Sequence, residues 1–153
     1  MQTIKLKKLH RLAKLPKYKS IEANGADLFA CIDQPIELYP GETKLIPLGF
    51  SMELPKGYAA MLLPRSGLGH KDGIVLGNLV GLVDTDYTGQ VYVSLWNRSI
   101  VSVAGFGMPS FTINPGDRIA QMCIVEIPQF KFEWTEAIRE TERGDGGFGS
   151  SGV

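Results

Sequence analysis

"INPGDRIAQMCIVEI", residues 113–127, is the stretch whose reading decides the fold. Pro115 and Gly116 turn the chain, and an almost unbroken run of apolar residues follows. At a two-residue period Ile119, Cys123, Val125 and Ile127 fall on one face, and Ala120, Met122 and Ile124 on the other. A strand apolar on both faces needs cover on both sides, from a second sheet or from another subunit. Gln121 interrupts one of these rows. A buried amide requires partners, either backbone groups or a ligand.

The same unit, a short strand closed by a proline-glycine or glycine turn, recurs in "LYPGETKLIPLGF" (38–50), "ELPKGYAAMLLPRSG" (53–67) and "TGQVYVSLWN" (88–97). Short β-forming runs with this punctuation predict an all-β sandwich or barrel. Only "EWTEAIRETE" (133–142) offers a short helix. The first nineteen residues carry seven lysines and arginines and no acid. Leu9, Leu12 and Leu15 would allow a basic amphipathic helix there, but Ile4 and Leu6 alternate with charge and Pro16 stops a helix early. A strand followed by a loop is the better reading, and an ordinary secretory signal is not expected. "RSIVSVAGFGMPS" (98–110) is too apolar for a solvated loop and is expected to cover the body or a neighbouring subunit.

At 153 residues the chain has room for one domain with a real core. It is 44% hydrophobic and 21% charged, as expected for a soluble globular protein, and no apolar run reaches bilayer length. A net charge of zero gives no support to nucleic-acid binding, so any anion site must be local. Cys31 and Cys123 sit in apolar, strand-like stretches and read as small core residues. Two such thiols form neither a disulfide framework nor a metal cluster, which points to the cytoplasm. His10 and His70 are too few and too far apart to suggest a triad or a zinc site, and Ser66 has no evident base.

Carboxylates, arginines and glycine turns remain. Arg65, Ser66 and Gly67 fall where a strand breaks into a turn, and such a turn can offer N–H groups, a hydroxyl and a guanidinium to phosphate oxygens. In "GNLVGLVDTDYTGQVYV" Asp84 and Asp86 flank a turn, Tyr87 follows, and Gly89 lets the chain reverse. Such a hairpin can show its own backbone donors and acceptors to a flat ligand, or it can be merely a turn stabilised by Asp residues. The chain ends in "RGDGGFGSSG" (143–152), five of whose residues are glycine. Ordering it costs backbone entropy, so it is expected to be mobile unless something pins it.

Five stretches resemble, in order, the signature motifs of the trimeric dUTP pyrophosphatases (dUTPases), most nearly the bacterial members. They are "ANGADLFA" (23–30), "PRSGLG" (64–69), "GNLVGLVDTDYTGQ" (77–90), "PGDRIAQ" (115–121) and "RGDGGFGSSG" (143–152). The resemblance implies a jelly-roll β subunit over 1–142, with 143–153 as a flexible segment closing over the active site. It further implies a homotrimer whose active sites are shared between subunits. The reaction implied is dUTP plus water giving dUMP and pyrophosphate, which keeps dUTP low and supplies dUMP for dTMP synthesis. Mg²⁺ would be bound mainly by the triphosphate.

By the same resemblance Asp84 would activate the water that attacks the α-phosphorus, and Tyr87 would leave no space for a 2′-hydroxyl. The backbone at Gly81, Leu82, Val83 and Asp84 and near Tyr92, together with Asn78, would pair with the uracil edge. Cytosine would set a donor against a fixed N–H there, at a cost of about 1–3 kcal/mol per mismatch. Arg65, Ser66, Gly67 and Gln121 would hold the phosphates, and Asp27 would act near the metal through water. In the tail, Phe148 would stack on uracil, Arg143 would reach the phosphates, and Gly149 and Ser150 would complete the contact. Stacking worth about 1–3 kcal/mol offsets part of the ordering cost. Gln90 stands where glutamate is common and Val83 where isoleucine is common, and segment 98–110 is longer than the pattern. A dCTP deaminase of the same fold would need a glutamate at the pyrimidine, which no stretch clearly supplies. A silent binding module would have no use for Asp84, Tyr87, Arg143 and Phe148 together.

Overall fold

The computed structural model describes residues 2–99 and 110–147. Twelve strands run through them: β1 (Lys5–Lys8), β2 (Lys17–Tyr18), β3 (Ala26–Phe29), β4 (Ile36–Leu38), β5 (Thr43–Pro47) and β6 (Phe50–Glu53). The second half holds β7 (Tyr58–Pro64), β8 (Ile74–Leu76), β9 (Gly81–Val83), β10 (Tyr92–Asn97), β11 (Phe111–Ile113) and β12 (Arg118–Glu126). The largest sheet has the order β2-β3-β12-β7-β9; a second is β5-β10-β8, and the ribbons β1-β6 and β11-β4 complete the body. Every pairing is antiparallel. The expected all-β, jelly-roll class is what these strands form. Among the described residues no helix is long and apolar enough to cross a membrane.

The core lies between the sheets. Leu28, Ala60, Leu62, Ala120 and Met122 from the large sheet meet Ile46, Ile74, Leu76, Val93 and Leu95 from the smaller one, all nearly inaccessible. The opposite face of the large sheet is covered only in part: Met61, Leu63, Cys123 and Val125 are half-buried and Leu82 is exposed.

β12 departs from simple alternation at its start. Arg118 pairs with Phe29 and Ala120 with Leu28, so Ile119 is an extra residue in the ladder, a β-bulge. Ile119 therefore does not share the Cys123 face as a strict two-residue period predicts; it is buried in the core. Arg118 is turned to the outer face in its place, alongside Gln121.

The helix expected over 133–142 does not form. Trp134 and Ile138 are fully or largely exposed. A ten-residue segment with no apolar surface to pack against cannot recover the cost of nucleation. The strand expected at the N-terminus is β1. Of segment 98–110, residues 100–109 lie outside the described residues. Its flanks are tied: the Ser99 N–H donates to Asn97 Oδ1 (3.1 Å), and the hydroxyls of Ser110 and Thr112 donate to the Glu37 carboxylate. These hydroxyl contacts, Ser110 first, hold the Glu37 carboxyl below the usual glutamate range.

Candidate active site

The turn between β8 and β9 begins at Gly77, where a Cβ would lie 2.7 Å from Thr43 Cγ2 and 2.8 Å from Ser94 Oγ. Glycine is required by that close approach. Leu79 next to it holds φ 61, a left-handed conformation that side chains other than Asn and Asp seldom adopt. β9 then runs along β7, with Leu62 opposite Gly81 and Ala60 opposite Val83. It is the last strand of its sheet, so its far edge has no strand partner among the described residues. Unpaired backbone N–H and C=O groups on such an edge are available to a ligand.

That edge borders a cavity of about 220 Å³ lined by Leu62, Asn78, Gly81, Leu82, Val83, Asp84, Tyr87, Val91 and Tyr92. Of the residues expected to meet the nucleoside, Asn78, Gly81, Leu82, Val83, Asp84, Tyr87 and Tyr92 are in one place. Tyr87 is held at both ends: its N–H donates to the Asp84 carbonyl (3.2 Å) and its hydroxyl to the Gln90 carbonyl (2.8 Å). A Cβ on Gly89 would come within 2.8 Å of the Tyr87 oxygen, so the ring lies directly against that glycine. Thr85 Oγ1 ties the same turn to the Tyr58 carbonyl at 2.6 Å. A carboxylate, an aromatic wall and a fixed backbone edge can orient a pyrimidine nucleoside and a water molecule.

Arg65, Ser66, Gly67 and Gln121 do not line this cavity. Arg65 and Gln121 belong to a second cluster, on the outer face of the large sheet, built around Asp27. Asp27 is 5% exposed. Its Oδ2 is 3.1 Å from Arg118 Nη1, its Oδ1 accepts from Gln121 Nε2 at 3.2 Å, and Arg65 Nε stands 4.0 Å away. Arg65 Nη1 also donates to the Arg118 carbonyl at 2.7 Å. Ser66 and Gly67 follow, exposed, in helical conformation continuous with the short helical segment Leu68–Asp72. Gln121 thus finds a side-chain partner at once, and the amide in the apolar row is satisfied. Arg118 was not singled out from the sequence, because only the bulge at Ile119 brings it to this face.

The tail is described as far as residue 147. Arg143 Nε donates to the Gly146 carbonyl at 2.6 Å and the Gly144 N–H to the Thr141 carbonyl at 3.0 Å, a local turn that is exposed. Phe148, Gly149 and Ser150 lie outside the described residues.

Among the described residues no three His, Cys, Asp or Glu side chains gather to hold a metal ion. Asp27 is the carboxylate expected near Mg²⁺, and two guanidiniums already face it. Positive charge at that distance opposes a divalent cation, so the cluster does not fit a resident Mg²⁺. It fits an anion instead.

The dUTPase family profile matches residues 11–152. The chain belongs to the dUTPase family. It is 52% identical over 139 residues to the deoxyuridine 5′-triphosphate nucleotidohydrolase of Burkholderia lata, covering 90% of this chain and 88% of that one. Identity to the protein of the same description from Thiobacillus denitrificans is 55% over 139 residues, or 90% of each chain. Among solved structures, the Staphylococcus bacteriophage 80alpha dUTPase with dUPNHPP superposes with a TM-score of 0.86 at 27% identity, over all of both chains. The dUTPase motifs fall on both clusters: the first, second and fourth supply Asp27, Arg65 and Gln121, and the third lines the cavity.

Proposed function

We propose how this chain carries out the dUTPase reaction. The enzyme hydrolyses dUTP to dUMP and pyrophosphate. The uracil edge pairs with the open backbone edge of β9 and with Asn78, and the deoxyribose lies against Tyr87. A 2′-hydroxyl would meet the Tyr87 ring, which its two hydrogen bonds keep from moving aside. Asp84 takes a proton from the water that attacks the α-phosphorus, a general-base role worth roughly 10²–10⁴-fold in rate. The β- and γ-phosphates leave as pyrophosphate.

Arg65, Ser66, Gly67 and Gln121 hold the triphosphate, with Arg118 and Asp27 fixing the Arg65 guanidinium. In this subunit they stand apart from the nucleoside cavity, so a complete site takes its phosphate grip from a second copy. The half-covered outer face of the large sheet supports that reading, and three copies about a threefold axis would bury it. Mg²⁺ belongs to the substrate, chelated by the triphosphate and its own water shell. Residues 143–153 close over the bound nucleotide, with Phe148 on the base and Arg143 on the phosphates, and exclude bulk water. Two unpaired thiols accord with a cytoplasmic location.

The observation that carries the proposal is the single cavity joining Asp84 and Tyr87 to an unpaired strand edge. Pyrophosphate release from dUTP, dCTP, dTTP and UTP tests it. Rapid release from dUTP alone is expected, and Asp84→Asn should slow it by roughly 10²–10⁴-fold with dUTP binding retained. Ammonia release from dCTP, or an Asp84→Asn enzyme that turns over normally, would overturn it.

A further inference from the structure

A second, larger cavity of about 500 Å³ lies between the N-terminal segment and the turns that follow β3 and β5. Leu9, Ile36, Pro47 and Gly49 wall it, and Cys31, His10 and Asp33 stand together in it. The nucleotide chemistry uses none of these three. Cys31 Sγ is 3.4 Å from His10 Nδ1, and Nε2 of the same ring is 3.4 Å from Asp33 Oδ2. The Leu12 N–H donates to Nδ1 at 3.3 Å. An amide N–H can only donate, so Nδ1 carries no proton and the ring is the Nε2–H tautomer. Its Nε2 stands within ion-pair distance of Asp33, whose other oxygen is held by Arg11 Nη2 at 3.2 Å. The Nδ1 lone pair that accepts from the Leu12 N–H also stands within reach of the thiol proton, 3.4 Å from the sulfur. Nucleophile, base and orienting carboxylate follow in the order that activates a weak nucleophile.

We propose that Cys31 is a thiol-modification site at which His10, oriented by Asp33, drives exchange with a small organic disulfide. The Cys31 S–H proton passes to Nδ1 as its sulfur attacks one sulfur of the disulfide. The Cys31–S–S–R bond forms, the R–S–S–R bond breaks, and the departing thiolate recovers the proton from the imidazolium as R–SH. The disulfide is the oxidant and is reduced to one thiol. The Leu12 N–H, at the exposed end of a long hydrogen bond, turns to water while Nδ1 holds the proton.

Burial foremost, and then the Asp33 charge, push the Cys31 thiol up, so little thiolate exists at rest and a base at the moment of attack decides the rate. The residue is 5% exposed and lines the cavity, which favours a small uncharged reactant. Cys123, half-buried on β12, has no histidine beside it among the described residues. Gln90 forms part of the cavity wall, and its carbonyl accepts the Tyr87 hydroxyl, so an adduct on Cys31 abuts the chain that holds the nucleotide cavity.

The test incubates the full chain with bis(2-hydroxyethyl) disulfide and follows each cysteine by peptide mass. Cys31 should acquire one mercaptoethanol, ahead of Cys123, and lose it to dithiothreitol. His10→Gln should slow the Cys31 reaction at least about tenfold and leave Cys123 unchanged; Asp33→Asn should slow Cys31 severalfold. Wild-type pyrophosphate release from dUTP shows that each variant is folded, and the Asp33 variant carries the test if the His10 variant is not. Equal Cys31 rates in the folded variants, or labelling of Cys31 only in denaturant, would overturn the proposal.

Discussion

Asp27→Asn isolates the charge at the centre of the cluster formed with Arg65, Arg118 and Gln121. The substitution keeps the shape, and an Asn Oδ1 can still accept from Gln121 Nε2, now 3.2 Å away. The amide nitrogen that replaces Oδ2 would face Arg118 Nη1, now 3.1 Å away, donor against donor. A hydrogen bond to a charged group contributes about 1.5–3 kcal/mol, and leaving a buried partner unmatched adds to that. Relief comes from water, since the Arg118 and Arg65 side chains are 41% and 24% exposed and can turn outward. The net cost is therefore about 1–3 kcal/mol, or roughly 3–10 °C in Tm for a chain of this size. Because the two guanidiniums lose the group that aims them, KM for dUTP should rise more than kcat falls. Thermal unfolding by circular dichroism and steady-state pyrophosphate release read the two effects, with Asp86→Asn, an exposed aspartate, as the control. An Asp27→Asn enzyme that melts with the wild type and keeps its KM would refute the reasoning.

Gly49→Ala should be severely destabilising: the residue sits at φ 74, and a Cβ there would come 2.9 Å from Ala13 Cβ and closer still to the Cys31 sulfur. Left-handed strain of about 1–2 kcal/mol and overpacking of about 1–3 kcal/mol give a loss of about 2–5 kcal/mol, read by urea denaturation. Tyr87→Phe removes the hydrogen bond to the Gln90 carbonyl, worth about 1 kcal/mol. The ring should then yield more readily to a 2′-hydroxyl, and the ratio of dUTP to UTP kcat/KM should fall about fivefold. Glu37 is harder to protonate in the folded chain than in the unfolded one, so its contribution is complete above the ordinary glutamate value and is lost as pH falls through the lowered one. Glu37→Gln should accordingly flatten the acid limb of Tm against pH, and an unchanged limb would remove Glu37 from it.

The all-β class was legible because the punctuation is local: Pro115 with Gly116, Pro40 with Gly41 and the glycine after Lys56 each end a run of β-formers by their own backbone preferences. The grouping of Asn78, Gly81, Asp84, Tyr87 and Tyr92 about one cavity was legible because one hairpin carries them all, so neighbours in sequence remain neighbours in space. What escaped depends on distance along the chain. His10 meets Cys31 and Asp33 only when β1 leads the N-terminal segment past the turn after β3, and no spacing in the sequence marks that meeting. The segment 133–142 misled in the opposite sense: its composition favours helix, but a helix of that length depends on packing that the described residues do not supply.

The bulge at Ile119 makes the charge cluster a matter of reading frame. Along a strand, odd and even positions look opposite ways, and Arg118 and Gln121 are of unlike parity. They can attend to the same carboxylate only because one residue between them is left out of the count. Were Ile119 instead paired in regular register, every motif letter would stand unchanged and yet the guanidinium would turn into the hydrocarbon interior. The arginine's place in the cluster therefore depends on the bulge as much as on the residue itself.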